Sequence, residues 1–433
     1  MFKLSLTTTA IVSAILATAT GANAQSLNPI APGSMVVHLN GYLQFGGGSV
    51  GGDGMSGGTG ATAYKNNSVG TIGDVRLYPG FDGSTINGID YGVQVELRTT
   101  SSNANGTGVN NNSTNPNGTG DIYVRRAYSY IGNATYGYVR FGQGDGAFEL
   151  LQSGVIEAFG DGAQFNSDGG LSAMLPSGKP GDFIYGDQGA LYTTDKIVYV
   201  SPAVEVPMLD GKFSAIVSYE PNSNGLKEGA GTIAGDVSQL NSAVAGGSGT
   251  RRLNTLDGMI GYSVKMGRFA TKICTGYLAS SPMGNLTGTQ EYAPMGVWQV
   301  GAQTTYTGVF TDADTVTIGA NIKGGSVVDG YDFRVRGGRN ALAYIIGGDY
   351  TNARYVIGAS FFDSQTAAGA GTDGDTAGKT LDEYGIAVGG NYIVAKPLSL
   401  YLQYEYGHKH AYNIAPQTSG QAQGIAAGAT FKW

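Results

Sequence analysis

The sequence predicts an all-β protein, a closed antiparallel transmembrane β-barrel of about 16 strands. Three observations lead there. Apolar residues recur with a period of two along most of the chain. The links between the periodic segments alternate between long and short. The composition, with 73 Gly, 27 Tyr and only 13% charged residues, does not suit a surface solvated all round.

The N-terminus comes first. Lys3 precedes an apolar run from Leu4 to Ala19, and Ala22-Asn23-Ala24 follows. A cationic start, an apolar stretch and a small-residue site are the parts of a secretory signal peptide, so residues 1–24 are expected to be an export signal and 25–433 a single barrel domain.

The strands follow. From Tyr91 to Arg98, one face carries Tyr91, Val93, Val95 and Leu97, and the other Gly92, Gln94, Glu96 and Arg98. From Leu398 to Tyr406, Leu398, Leu400, Leu402, Tyr404 and Tyr406 oppose Ser399, Tyr401, Gln403 and Glu405. Near 315–323, Val316, Ile318, Ala320 and Ile322 oppose Thr317, Asn321 and Lys323. This alternation predicts strands near 35–46, 69–79, 87–99, 121–131, 136–143, 189–200, 212–220, 255–265, 267–278, 295–307, 315–324, 341–350, 353–363, 383–394, 398–409 and 421–433. Links rich in Gly, Asn, Asp and Ser, such as 100–120, 144–188 and 221–254, alternate with short ones such as Lys265-Met266-Gly267 and Ala395-Lys396-Pro397. Long loops on one side and short turns on the other belong to an outer-membrane barrel. Closure pairs every backbone polar group, which hydrocarbon would otherwise leave unsatisfied. Phe431 and Trp433 share an outward face, where an interfacial aromatic belongs.

Charge and cysteine content narrow the function. Taking Lys3 from the 25 basic residues leaves 24 against 32 acidic ones, a net charge of −8 that argues against nucleic acid as a partner. Cys274 stands alone, so no intrachain disulfide is available. Gly378-Lys379-Thr380 lacks the first P-loop glycine, because Asp373 occupies that place. His408 and His410 have no evident third ligand, and Asp373 and Asp375 read as a solvated loop rather than a calcium site, so neither a metal nor a cofactor is expected.

Parity then sorts the basic residues. With Val75, Leu77 and Leu97 outward, Asp74, Arg76, Tyr78, Glu96 and Arg98 face inward. Placing Val124, Tyr128 and Tyr130 outward turns Tyr123, Arg125 and Ala127 inward, and Val139 and Phe141 outward turn Arg140 inward. Arg126 is left on the outer face, where an arginine at the bilayer midplane costs about 2–4 kcal/mol. Either it lies at the membrane edge or a second subunit covers it, and the second option favours an oligomer. The segment after Gly142 carries Asp145, Glu149, Glu157, Asp161 and Asp168. Folded outward it is a surface loop. Folded inward, its acids face the arginine wall across a channel and set a transverse field.

Several stretches, in order, resemble the general porins, trimeric diffusion channels of Gram-negative outer membranes. They are His38-Leu-Asn-Gly41-Tyr42, Asp74-Val-Arg76-Leu77, Arg125-Arg126-Ala127-Tyr128, Phe141-Gly142-Gln143, Glu157-Ala158-Phe159-Gly160-Asp161 and Lys196-Ile-Val-Tyr-Val-Ser-Pro202. The resemblance implies an inward-folded third loop and carries Arg76, Arg125, Glu157 and Asp161 into a constriction, to which parity adds Arg98 and Arg140 and the run of loop acids adds Glu149. It implies a homotrimer in contact with outer-membrane lipid and lipopolysaccharide, passing small hydrophilic solutes and ions, without enzymatic activity. Tyr42 departs from the family, which often has a basic residue there. With Tyr42, Tyr78 and Tyr123 all inward, a substrate-specific channel, for example for sugars, stands as the alternative to general diffusion.

Overall fold

The structure is a computed structural model that describes residues 30–57, 63–99, 122–162, 164–165, 170–176, 194–206, 210–222, 252–282, 291–328, 331–367, 380–412 and 419–433. The expected export signal, Asp168, Asp373, Asp375 and Lys379 lie outside these residues. The strands are β1 (Met35–Gly52), β2 (Val69–Ser84), β3 (Asp90–Thr99), β4 (Ile122–Asn133), β5 (Gly137–Gln143), β6 (Asp195–Val200, resumed at Val204–Val206), β7 (Gly211–Asn222) and β8 (Arg252–Met266). They continue as β9 (Phe269–Pro282), β10 (Met295–Thr307), β11 (Thr315–Ser326), β12 (Ala341–Thr351), β13 (Tyr355–Ala367), β14 (Thr380–Ala395), β15 (Leu398–Tyr412) and β16 (Gly420–Lys432). A small hairpin joins Ser56–Gly57 to Tyr64–Lys65, and two short helices, α1 (Ala147–Leu150) and α2 (Gly170–Met174), follow β5.

Each strand pairs antiparallel with its neighbours in sequence. The two pieces of β6 both pair with β7, so the 17 segments of the sheet form 16 wall positions. The ring closes where Tyr42 of β1 stands opposite Lys432 of β16 and opposite Arg76 of β2. The chain end completes the seam. Gly41 N–H donates to Trp433 O at 3.0 Å and Trp433 N–H donates back to Gly41 O at 3.2 Å. The indole lies so close over Gly41 that a Cβ there would stand 2.0 Å from its ring.

The period of two becomes two chemically different surfaces. On β10, Trp298 and Val300 are 40% and 47% exposed, while Gln299 between them is fully buried. Ile346, Val388 and Leu402 repeat the outward apolar positions, and Ile425 continues them onto β16. Such a continuous apolar exterior needs lipid or another subunit against it. No helix among the described residues is long and apolar enough to cross a membrane.

One stretch of wall departs from simple alternation, and it corrects the expectation for Arg126. Glu96 pairs with Arg126 but Leu97 pairs with Val124, so Arg125 is an extra residue in β4. Such a β-bulge lets two successive side chains point to one side. Arg125 and Arg126 are therefore both buried on the inner face. Every later residue of β4 changes side. Tyr128 and Tyr130, expected outward, face inward, where the Tyr130 hydroxyl meets the Asp82 carboxylate. Ala127, expected inward, pairs with outward Val95. The bulge spares β4 a lipid-facing guanidinium, and with it goes the argument from Arg126 for a covering subunit.

Candidate functional site

The inner face has two unlike arcs. On β1–β5 it is cationic and aromatic. Arg76 pairs directly with Arg98, and Arg98 with Tyr123, so these side chains share one level. Arg76 stands 5.0 Å from the centre of the Tyr42 ring, and Lys432 Nζ stands 5.7 Å from the same ring. Acids are threaded among the cations. Asp74 Oδ2 holds Arg76 Nε at 2.6 Å. Glu96 gathers three guanidiniums, with Oε1 at 2.5 Å from Arg98 Nε and 3.4 Å from Arg125 Nη1, and Oε2 at 3.4 Å from Arg126 Nε. Arg140 lies 3.9 Å over the Tyr128 ring. Arg76 and Arg98 are held by acids two residues back on their own strands, because i and i+2 share a face of a strand.

From β7 round to β16 the inner face is built to receive a chain. The segment after β5 meets successive strands in order. Ala147 N–H donates to Ser218 Oγ at 3.2 Å and Phe148 N–H to Asp257 Oδ2 at 3.0 Å. Gly154 N–H donates to Gln303 Oε1 at 3.2 Å, and Asn321 Nδ2 to Ser153 O at 2.8 Å. Asn391 Nδ2 donates to Gly160 O at 2.7 Å, and Asp161 N–H to Gln403 Oε1 at 2.8 Å. Side-chain amides of the wall thus satisfy a backbone that has no strand partner.

Glycines make this approach possible. A Cβ on Gly301 would stand 2.1 Å from Ser153 O. On Gly319 it would stand 2.9 Å from Gly154 Cα, and on Gly358 2.3 Å from the Phe159 ring. Gly347, opposite Gly319 in register, and Gly389, opposite Gly358, border the same path. The path passes Gly424, where a Cβ would stand 2.8 Å from Leu171 of α2, and reaches β2, where a Cβ on Gly170 would stand 2.1 Å from Ile72. Gly154 itself has φ +89°, and a Cβ there would lie 2.0 Å from Ala320 O, so its position needs glycine on both counts. Phe148, Phe159 and Phe165 join inward wall residues such as Ile345 and Phe362 in an apolar core inside the ring, and Phe333 from the link after β11 belongs to it.

The acids of this segment divide. Asp145 pairs with Arg126, Oδ2 to Nη1 at 3.0 Å, and so ties the root of the segment to the cationic arc. Glu149 lies on α1, and burial first and then the charge of Asp145 push its carboxyl above the usual range, against the pull of Lys323 and Arg126. Glu157 Oε1 accepts Phe165 N–H at 3.0 Å, and burial pushes it up to about 7. Asp161 Oδ2 accepts Leu171 N–H at 3.2 Å.

Several charged inner residues were not singled out from sequence. Lys196 Nζ donates to Gly144 O at 2.6 Å and Thr194 O at 2.8 Å, and stands 4.0 Å from Glu220. Glu220 also binds Arg252, at 3.2 Å. Lys323 lies 5.3 Å from the centre of the Phe148 ring. Parity had already put Lys323 on the polar face, and it puts Lys432 there too, between outward Phe431 and Trp433. The signal was present but did not rank them. His408 stacks on Tyr384 at 4.9 Å and His410 meets Tyr412 at 4.4 Å, both on the outer face of β15. Among the described residues no three His, Cys, Asp or Glu are grouped to hold a metal.

A closed sheet, apolar outside and charged within, defines a membrane-spanning barrel channel. The profile of the Gram-negative porin family matches residues 7–409, and the chain belongs to that family. It is an outer-membrane channel for passive diffusion. Solved structures share the fold. The anion-selective porin from Comamonas acidovorans matches with a TM-score of 0.54 at 12% identity, covering 92% of this chain and 100% of that one. The outer membrane channel DcaP of Acinetobacter baumannii matches at 0.52 and 14% identity, covering 93% and 99%. OmpT, an outer membrane protein of Vibrio cholerae in its trimer form, matches at 0.50 and 12% identity, covering 92% and 100%. No curated protein matches the chain.

Proposed function

We propose that small hydrophilic solutes and ions cross an eccentric constriction. One side is the arc of Arg76, Arg98, Arg125 and Arg140. The other is the segment after β5, folded inward as the third loop and presenting Glu149, Glu157 and Asp161. The observation that carries this reading is the ordered run of contacts from Ala147 at β7 through Leu171 at β16 to Ile72 of β2, which lays the segment along the inner wall. Opposed charges at close range in a partly dehydrated passage act on an ion more strongly than in bulk water.

The test is selectivity. Replacing Glu157 and Asp161 by Gln and Asn shifts the reversal potential under a salt gradient towards anions. Replacing Arg76 and Arg125 by Ala shifts it towards cations. If neither pair of changes moves it, these residues do not line the passage.

The family relationship also supports a homotrimer embedded in outer-membrane lipid and lipopolysaccharide. Unheated electrophoresis and cross-linking that yield only monomer would exclude the trimer and leave the barrel. Residues 1–24 are proposed as the export signal, which N-terminal sequencing of the mature protein checks. Substrate specificity is a second reading, favoured by the inward tyrosines among the arginines.

A further inference from the structure

We propose that the row Lys432–Tyr42–Arg76–Arg98–Tyr123 is a subsite for planar aromatic carboxylates. The proposal rests on the constriction reading above and gives it a solute class.

These five residues lie on five adjacent strands, each in direct register with the next. Partners in register share a face, and strands lie about 4.8 Å apart, so the row spans about 19 Å. At its centre two arginines leave the wall from directly opposite positions. Like charges in that position destabilise a sheet. Asp74 and Glu96 offset part of that cost, and an incoming carboxylate, which matches the planar fork of an arginine, offsets more. The pair is also preorganised. Asp74 and Glu96 grip the Nε atoms at 2.6 and 2.5 Å and so orient the two planes.

The flanks select the rest of the solute. A tyrosine lies one strand away on each side of the arginine pair. Tyr42 is already within cation–π range of Arg76 and Lys432. Tyr123 is 40% exposed on the inner face. A carboxylate seated on Arg76 and Arg98 brings a directly attached ring over one of these tyrosines. A flat aromatic ring gains stacking on the phenol or on a guanidinium plane. A saturated ring of the same size and charge gains the carboxylate contact alone.

Block of ionic current in planar bilayers by benzoate and by cyclohexanecarboxylate tests this at pH 7, where both are monoanions. Benzoate is expected to bind about fivefold more tightly, the ratio one aromatic contact supplies. Tyr42→Leu with Tyr123→Leu removes the preference, and Tyr42→Phe keeps it. Equal affinity of the two acids for the unaltered channel overturns the subsite. So does a preference that survives the double leucine change. If that double variant does not assemble, the comparison on the unaltered channel decides alone. Arg76→Gln separates this proposal from the one beneath it. A reversal potential that Arg76→Gln leaves in place removes the constriction and the subsite together. A potential that moves, with no preference for benzoate, removes the subsite only.

Discussion

The two arcs of the inner face share one backbone alternation and differ in what fills the inward positions. On β2–β5 these are arginine, tyrosine, aspartate and glutamate. From β10 to β14 glycine and side-chain amides take several of them, and a second layer of chain lies on top. The cationic arc is held by charge, with Glu96 as the common partner of three arginines. The glycine arc is held by shape, with backbone against backbone at Gly154 and Gly319. Charge tolerates small displacements and salt screens it, whereas a main-chain contact near van der Waals distance tolerates neither bulk nor shift. On the proposed reading, selectivity belongs to one arc and the width of the passage to the other.

The largest expected effect comes from forcing the second arc apart. Gly301→Val places carbon where Ser153 O and the Asn321 amide lie, at 2.1 and 2.4 Å from an ideal Cβ. The segment after β5 is displaced at a cost of about 1–3 kcal/mol, as in other overpacked sites. Single-channel conductance rises, and protease added to folded protein cuts the segment. A conductance equal to that of the unaltered channel would show that this segment does not set the width.

Next is Glu96→Gln, which strips the common counter-charge from Arg98, Arg125 and Arg126. Leaving a buried charge without its partner costs up to about 3–5 kcal/mol, less where water reaches it. The unfolding temperature in detergent falls, and the reversal potential moves towards anions while conductance stays within the range of the unaltered channel. A change in conductance without a change in selectivity would reverse the division of labour between the arcs.

A smaller effect is expected from pH. Burial first, with the charges of Asp161 and Glu149 adding to it, raises Glu157 to about 7. Its carboxyl is neutral below that value and ionised above it, so preference for cations grows as pH rises from 6 to 8. Burial raises Glu149 into the same range, so Glu157→Gln lowers the slope and Glu157→Gln with Glu149→Gln flattens the profile, which reversal potentials taken across that window measure.

The smallest change is Gly347→Ala. Its Cβ would stand 3.0 Å from Ala359 O and 3.2 Å from the Ile156 side chain, so a shift of a few tenths of an ångström suffices. Stability changes by about 1 kcal/mol or less and conductance stays as it was. Conductance changing as much as in Gly301→Val would mean that glycine spacing is not what seats the segment.

Much of this was legible in the chain. Alternation located all the wall positions, because outward residues must be apolar in lipid and inward ones need not be. The same parity turned Arg76, Arg98, Arg125 and Arg140 inward, as the structure has them. It misjudged Arg126, Tyr128 and Tyr130, because one extra residue in β4 reverses every side chain after it. A bulge is a property of two strands in register, Glu96 against Arg126 and Leu97 against Val124, and neither strand alone records it. Glu149, Glu157 and Asp161 were recognisable as acids in one segment. Their partners, Lys323 near Glu149 and the Phe165 and Leu171 amides, were not, since the segment has no period that says what it touches.

The sequence by itself determined the barrel and its two chemical faces, and its resemblance to the general porins indicated the class of channel. The first two follow from a period of two and from the cost of an unsatisfied peptide group in lipid, both of them local constraints. Only the tertiary structure decided which cations share a level, which acids hold them, and why so many glycines are needed. Register between neighbouring strands sets the first two. The third depends on backbone approaching backbone across more than 150 residues, from Gly154 to Gly319 and Ala320, and composition records such an approach only as an excess of glycine.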